Sequence, residues 1–245
     1  MRIEIASQPL GVSYDPQTGQ FVIAEYFEPQ VCLGKLRQDG DDIVMDMKFV
    51  KGAEGTTRLF PDFFKKDFNR MQVAYFDGAG NLCVLRNSDR KIFVISPPET
   101  EGGRWRFLNE EISFPDDVEE GTMVHSLLLR GDNVHTVESN VKCDAWTINE
   151  YAFADDNTLE RASKEDIGAF RYGIARQEGS DRLWTITDFR ATERKGIYHD
   201  GELVIPGLCG NGIAFDPDGN AIVTQYGHSI EKPGALVFVP AHMFS

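Results

Sequence analysis

Three titratable side chains could carry acid–base chemistry in this chain: His125, Glu138 and Asp188. An imidazole titrates near neutral pH and can take or give a proton. Two carboxylates in different surroundings can split their pKa values and supply an acid and a base. Six more residues share the register of these three and are candidates for substrate binding: Gln72, Tyr172 and Asn211 with His125, and Glu25, Arg86 and Gln225 with the carboxylates. Arg86 suits an anionic group. Tyr172 and Asn211 could orient a substrate or stabilise developing charge. The set fits a hydrolase or a related acid–base catalyst such as an isomerase or cyclase. It also fits a non-catalytic module that holds a ligand or protein partner. Glu138 and Asp188 could equally be ordinary ion-pair members balanced by Arg86 or Arg190.

What puts these residues in one register is a repeated phrase. Its cleanest copy is Asn211-Gly212-Ile213-Ala214-Phe215-Asp216-Pro217-Asp218-Gly219-Asn220, followed by the apolar run Ala221 to Thr224. The copy at Leu10 to Gln20 leads into Phe21 to Ala24. Others begin at Gln72, His125 and Tyr172. Each copy reads as a strand, a tight Asp/Gly/Asn turn and a second strand. The copies lie about 40 to 60 residues apart, which is room for four strands each and the size of a propeller blade.

The expected fold is all-β: a β-propeller of five four-stranded blades. The last repeat lacks a fourth strand, and the strand Arg2 to Ala6 stands before the first repeat as Glu202 to Ile205 stands before the last. The N-terminal strand is therefore expected to complete the last blade and close the ring, removing an open sheet edge. A sixth blade would have to lie between Phe49 and Arg70. That stretch does not alternate and reads as a long loop. Its Phe60, Phe63, Phe64 and Phe68 either cap the mouth or tuck against the flank.

In such a ring Leu10, Gln72, His125, Tyr172 and Asn211 begin the innermost strands. Glu25, Arg86, Glu138, Thr187 with Asp188, and Gln225 end the second strands. Both sets converge on one mouth of the central channel. All but Leu10 are polar, against apolar strand interiors such as Phe21-Val22-Ile23-Ala24. This predicts a lined, hydrated funnel. The plainer reading is that strand ends are polar wherever they meet water.

Composition bounds the rest. A chain of 245 residues that is 41% hydrophobic can bury a full core, and residues 1–245 are expected to form one domain. The net charge of −14 argues against nucleic acid, whose phosphates need a basic face, and gives an acidic surface. No apolar run is long enough to span a bilayer, so a soluble, cytoplasmic protein without membrane partners is expected, a trimmed signal peptide staying open. The cysteines Cys32, Cys83, Cys143 and Cys209 fall in different units and form no CxxC pair. Cys32 and Cys83, in apolar strands, are expected to be buried thiols.

The Asn211–Asn220 phrase, with the strand ends Ile23-Ala24-Glu25 and Ile186-Thr187-Asp188, resembles the repeat of the SMP-30/gluconolactonase/LRE-like propellers and the related NHL repeats. The resemblance implies a β-propeller, lactonase-like hydrolysis of a small molecule, and a divalent cation, usually calcium, in the channel. It places Asn211 at a cation-ligand position. Leu10 stands where that family has a glutamate, and Gln72 and Tyr172 also depart from the pattern. Glu25, Glu138 and Asp188 are the carboxylates that could hold a cation by another route. The family is usually six-bladed, whereas five repeats are counted here.

Overall fold

The hairpin turn of the repeat is built around its aspartate. In the computed structural model, Asp216 accepts through its side chain from the backbone N of Asn220 at 2.8 Å and from Asn220 Nδ2 at 3.0 Å. Its backbone O accepts from Gly219 N at 3.0 Å. Gly219 has φ of 80°, a conformation that costs glycine little. In the first copy Asp15 does the same work, accepting from Gln17 N at 3.0 Å and from Thr18 Oγ1 at 2.6 Å. The phrase is therefore a side-chain-capped turn between two strands.

The structure describes residues 1–5, 8–25, 31–39, 42–49, 72–75, 80–87, 90–97, 106–116, 118, 121–155, 157–180, 182–191, 194–225, 227 and 234–244. The chain opens with β1 (Arg2–Ile5). The first blade holds β2 (Pro9–Asp15), β3 (Gln20–Glu25), β4 (Val31–Asp39) and β5 (Asp42–Phe49). The second holds β6 (Gln72–Tyr75), β7 (Leu82–Arg86), β8 (Lys91–Ser96) and β9 (Arg106–Ser113). The third holds β10 (Met123–Arg130), β11 (Asn133–Ser139), β12 (Trp146–Asp155) and β13 (Thr158–Ile167). The fourth holds β14 (Arg171–Arg176), β15 (Leu183–Thr187), β16 (Gly196–His199) and β17 (Glu202–Pro206). The fifth holds β18 (Gly212–Phe215), β19 (Ala221–Gln225) and β20 (Gly234–Val239), with a 3-10 turn at Ala241–Phe244.

Each described blade is an antiparallel meander, and β1 supplies the fourth strand of the fifth. It pairs antiparallel with β20, Arg2 opposite Val237 and Ile5 opposite Gly234. The ring is thus closed as the repeat predicts. The innermost strands neighbour one another in a closed cycle: β2 beside β6, β6 beside β10, β10 beside β14, β14 beside β18, and β18 beside β2. A single parallel pair, Thr158 with Ser113, also links the outer strands β13 and β9. The segment considered for a sixth blade or a lid lies outside the described residues.

The core sits between blades. Cys83, Leu85, Ile92 and Val94 of the second blade pack with Val124, Leu127, Val134 and Tyr151 of the third. Ala175, Trp184 and Ile186 of the fourth pack with Ile213, Phe215 and Val223 of the fifth. Val12, Phe21 and Ile23 of the first meet Ala214, Ile222 and Leu236 of the fifth. Sheets covered on both faces need continuous apolar runs, which is why β3, β7 and β19 lack alternation. Cys32 and Cys83 are buried in these interfaces. Each fully buried Ile, Leu or Val contributes about 1.5–3 kcal/mol.

The glycine of the phrase has a packing reason. A Cβ built on Gly212 would lie 2.8 Å from the backbone O of Leu10 and 2.8 Å from Thr224 Oγ1. Inner strands this close leave no room for a side chain. No helix among the described residues is long and apolar enough to cross a membrane.

Two outcomes test this architecture by thermal unfolding. Gly212→Ala should destabilise by about 1–3 kcal/mol, because the clash is partly with backbone. Deleting residues 1–5 removes the β1–β20 ladder. At about 1 kcal/mol per hydrogen bond and about 2–4 °C per kcal/mol, melting should fall by more than about 5 °C. An unchanged melting temperature in the truncated protein would contradict closure by β1.

Candidate functional site

The inner strands break register where the candidate residues sit. The ladder shifts between Pro9 and Val12 in β2, between Val124 and Ser126 in β10, and between Arg171 and Gly173 in β14. Leu10, His125 and Tyr172 fall in those three irregularities. A bulge of this kind turns a side chain out of the ordinary alternation. Asn211 directly precedes β18, and its backbone N donates to Thr224 O at 2.8 Å. Between blades, Asn87 fixes the approach to His125: its Nδ2 donates to Val124 O at 2.9 Å and its Oδ1 accepts from Val124 N at 2.8 Å.

His125 has no exposed surface. Its Nε2 lies 2.8 Å from Ser139 Oγ, at the end of β11. Its ring stacks on Trp146, with centroids 4.5 Å apart, and meets the tilted ring of Tyr172 at 4.4 Å. Trp146 donates from Nε1 to Cys143 O at 2.9 Å and contacts Phe170 with centroids 5.5 Å apart. Cys143 and Phe170, the residues on which this wall rests, have φ of 55° and 60°. Left-handed backbone at a bulky, non-glycine residue is strained, and such strain clusters at functional sites.

Tyr172 leads from His125 into a polar network. Arg190 Nη2 donates to Tyr172 Oη. Arg190 Nε donates to Asp188 Oδ1 at 2.8 Å, and its backbone N donates to the same oxygen at 2.8 Å. Asn211 Nδ2 donates to Asp188 Oδ2 at 2.9 Å. Asp188 has no exposed surface, and its backbone N donates to Phe170 O at 2.8 Å. The structure thus brings together His125, Tyr172, Asp188 and Asn211 of the candidate set, through Arg190.

It does not bring Glu138 to them. Ser139, which meets His125, is the next residue along β11, and successive side chains point to opposite faces. Glu138 accepts at Oε1 from Thr136 Oγ1 at 2.5 Å and from Tyr151 Oη at 2.7 Å. Burial raises its carboxyl pKa above the ordinary value. Those two hydrogen bonds, and Arg161 and Arg90, oppose the rise. Glu138 and Asp188 therefore do not form an acid–base couple, and only Asp188 is balanced by arginine at contact distance.

The other candidates make further contacts of their own. Glu25 accepts from Gln8 N at 3.4 Å and lies 3.8 Å from Cys32 Sγ. Burial, then the Glu25 charge, pushes the Cys32 thiol pKa up. Gln225 Nε2 donates to Cys209 O at 2.5 Å. The Arg86 guanidinium lies 4.9 Å over the Phe93 ring of its own blade. Thr187 Oγ1 accepts from Gly196 N at 2.7 Å, a strand-end bond. Leu10 is buried and contributes its carbonyl, which accepts from Thr224 Oγ1 at 2.5 Å. Gln72 begins β6, and its side chain lies outside the described residues.

The repeated phrase does not mark Ser139, Trp146 and Phe170. Trp146 and Phe170 lie beyond the repeated hairpin, where no shared spacing marks them. Ser139 ends the same strand as Glu138 and was one register step away.

The residues present do not fit the calcium ion that the resemblance implies. Calcium takes six to eight oxygen ligands. Asn211 here turns its amide nitrogen to Asp188, and the Arg190 guanidinium sits on the other carboxylate oxygen. Among the described residues there is no group of three or more His, Cys, Asp or Glu side chains that could hold a metal ion.

Comparison with solved structures gives the fold. A luciferin-regenerating enzyme matches with a TM-score of 0.55 at 11% identity, over 98% of this chain and 95% of that one. A gluconolactonase from Xanthomonas campestris matches at 0.50 and 13% identity, over 97% of this chain and 78% of that one. No protein-family model and no curated protein sequence matches the chain. The resemblance read in the repeat holds as a shared β-propeller architecture.

The buried Glu138 gives a pH-dependent outcome. Its folded pKa is raised, so the folded chain binds the proton more tightly than the unfolded chain does. That contribution to stability is fully present below the ordinary pKa of 4.5 and is lost as pH rises through the folded value. Glu138→Gln keeps an acceptor at Oε1 and carries no charge. Its melting temperature relative to wild type should rise as pH is raised from 4.5 toward neutrality. A difference that stays constant over that range would show that Glu138 is not buried as described.

Proposed function

We propose that this chain is a small-molecule hydrolase of lactonase type, acting at the mouth where the inner strands begin. The observation that carries the reading is the unbroken contact from His125 through Tyr172, Arg190 and Asp188 to Asn211, across three blades. The lactone class comes from a fold relative that is by name a gluconolactonase.

His125 is the acid–base group, with Ser139 and Trp146 fixing its ring. Water adds to the carbonyl carbon as the imidazole takes its proton. The ring C–O bond breaks, and the leaving oxygen receives that proton, giving a hydroxy acid. Trp146 stacks on His125 and Phe170 packs on Trp146, so entry to the buried imidazole requires these rings to part.

A second reading has its own support. The complete burial of His125 favours a propeller that binds a small ligand at the mouth without turning it over.

A panel of simple lactones assayed for acid release separates the two. The hydrolase reading expects turnover that falls by about 100- to 10,000-fold in His125→Gln, with the fold retained. Turnover unchanged in that variant would move the site elsewhere. A lactone that raises the melting temperature and is never consumed would establish binding alone.

A further inference from the structure

Arg190 has a place in this mouth that the repeat does not anticipate. It lies in the turn directly after β15, between Tyr172 of its own blade and Asn211 of the next. Its Nε and its backbone N both donate to Asp188 Oδ1 at 2.8 Å, and its Nη2 donates to Tyr172 Oη. The Phe170, Tyr172 and Phe189 rings surround the guanidinium carbon at 5.6, 5.1 and 5.6 Å. Aromatic faces add to the attraction for a fixed cation. The Asp188 side chain has 0% exposure and that of Arg190 34%, so the pair is buried at the carboxylate and open to solvent at the arginine.

We propose that the Arg190 guanidinium is the built-in cation of this mouth, holding the charge and the place that a divalent ion would need, and presenting its solvent-facing edge to a ligand carbonyl oxygen. A divalent ion seeking Asp188 and Asn211 must displace a cation whose backbone N is bonded to Asp188 and whose guanidinium is held by two side chains, Asp188 and Tyr172. A guanidinium also stays protonated throughout the pH range of a folded protein, so it needs no loading. The carbonyl part of the inference rests on the hydrolase or ligand-binding reading above. The exclusion of divalent ions does not, because it follows from the donors already engaged.

Calcium alone is the probe, applied to the purified full chain by thermal unfolding and by competition with a chromophoric chelator. Wild type should melt at the same temperature with EDTA and with millimolar calcium. Arg190→Gln removes the charge and the Nε bond to Asp188 Oδ1, leaving the carboxylate held only by the residue-190 backbone N and Asn211 Nδ2, neither of which carries a charge that repels a cation. It should bind calcium at least about tenfold more tightly than wild type and melt about 5 °C higher at saturating calcium. Arg190→Lys, which keeps the charge, should stay indifferent to calcium and serves if the glutamine variant does not fold. Calcium that stabilises wild type, EDTA that destabilises it, or an Arg190→Gln variant without gained affinity overturns the proposal. None of these readouts uses turnover. A chain inert toward lactones but behaving as described toward calcium would sink the hydrolase reading and leave the internal cation standing.

Discussion

Asp188 has no exposed surface, and a carboxylate removed from water is held only if donors replace the water it loses. The residues around Asp188 supply them. One comes from the turn that follows Asp188 itself, as the backbone and guanidinium of Arg190. Another comes from Asn211, at the start of the next blade's inner strand. Tyr172 then anchors the far side of Arg190 and presents its ring to His125. Satisfying one buried charge thus fixes the spacing of the fourth and fifth blades and the seat of the imidazole in the third. It also makes Asp188 more than a surface candidate, since removing it leaves a partly buried guanidinium without its partner.

The network can be built only because the ring brings strand starts together. Each sheet is apolar on both faces and must be covered on both, so an open row of blades would leave two faces and an edge exposed. The N-terminal strand removes the edge by pairing with β20. The inner strands then lie close enough that Gly212 faces the Leu10 backbone directly. At this distance a bulge is a way to lift a side chain out of the ladder. His125 and Tyr172 both use one.

The repeat made the strands legible because its cause is local. Asp216 with Gly219, and Asp15 in the first copy, are turn residues whose chemistry needs no tertiary context. Apolar runs such as Phe21 to Ala24 reported burial on both faces. The outer strand β13 (Thr158–Ile167) carries little pattern in the sequence. Within it only Leu159 is buried, so an outermost strand held mainly by the ladder to β12 leaves little hydrophobic pattern. The site was legible only in part. Register alone placed Tyr172, Asn211, His125 and Asp188, and these meet. It also placed Glu138, which faces the other side of the sheet because one residue of phase decides the face. Which arginine balances Asp188 was not legible either. Arg86 ends β7 and Arg190 lies in the turn after β15, and it is that turn that folds back on the carboxylate.

The central claim is that Arg190 and Tyr172 act as one unit. A double-mutant cycle measures this directly, with Arg190→Gln, Tyr172→Phe and the pair compared by reversible unfolding. Tyr172→Phe keeps the ring against His125 and removes only the hydroxyl. The account predicts a coupling of about 0.5–3 kcal/mol between the two changes. Effects that add within about 0.3 kcal/mol would contradict it, and the network would then be two unrelated contacts.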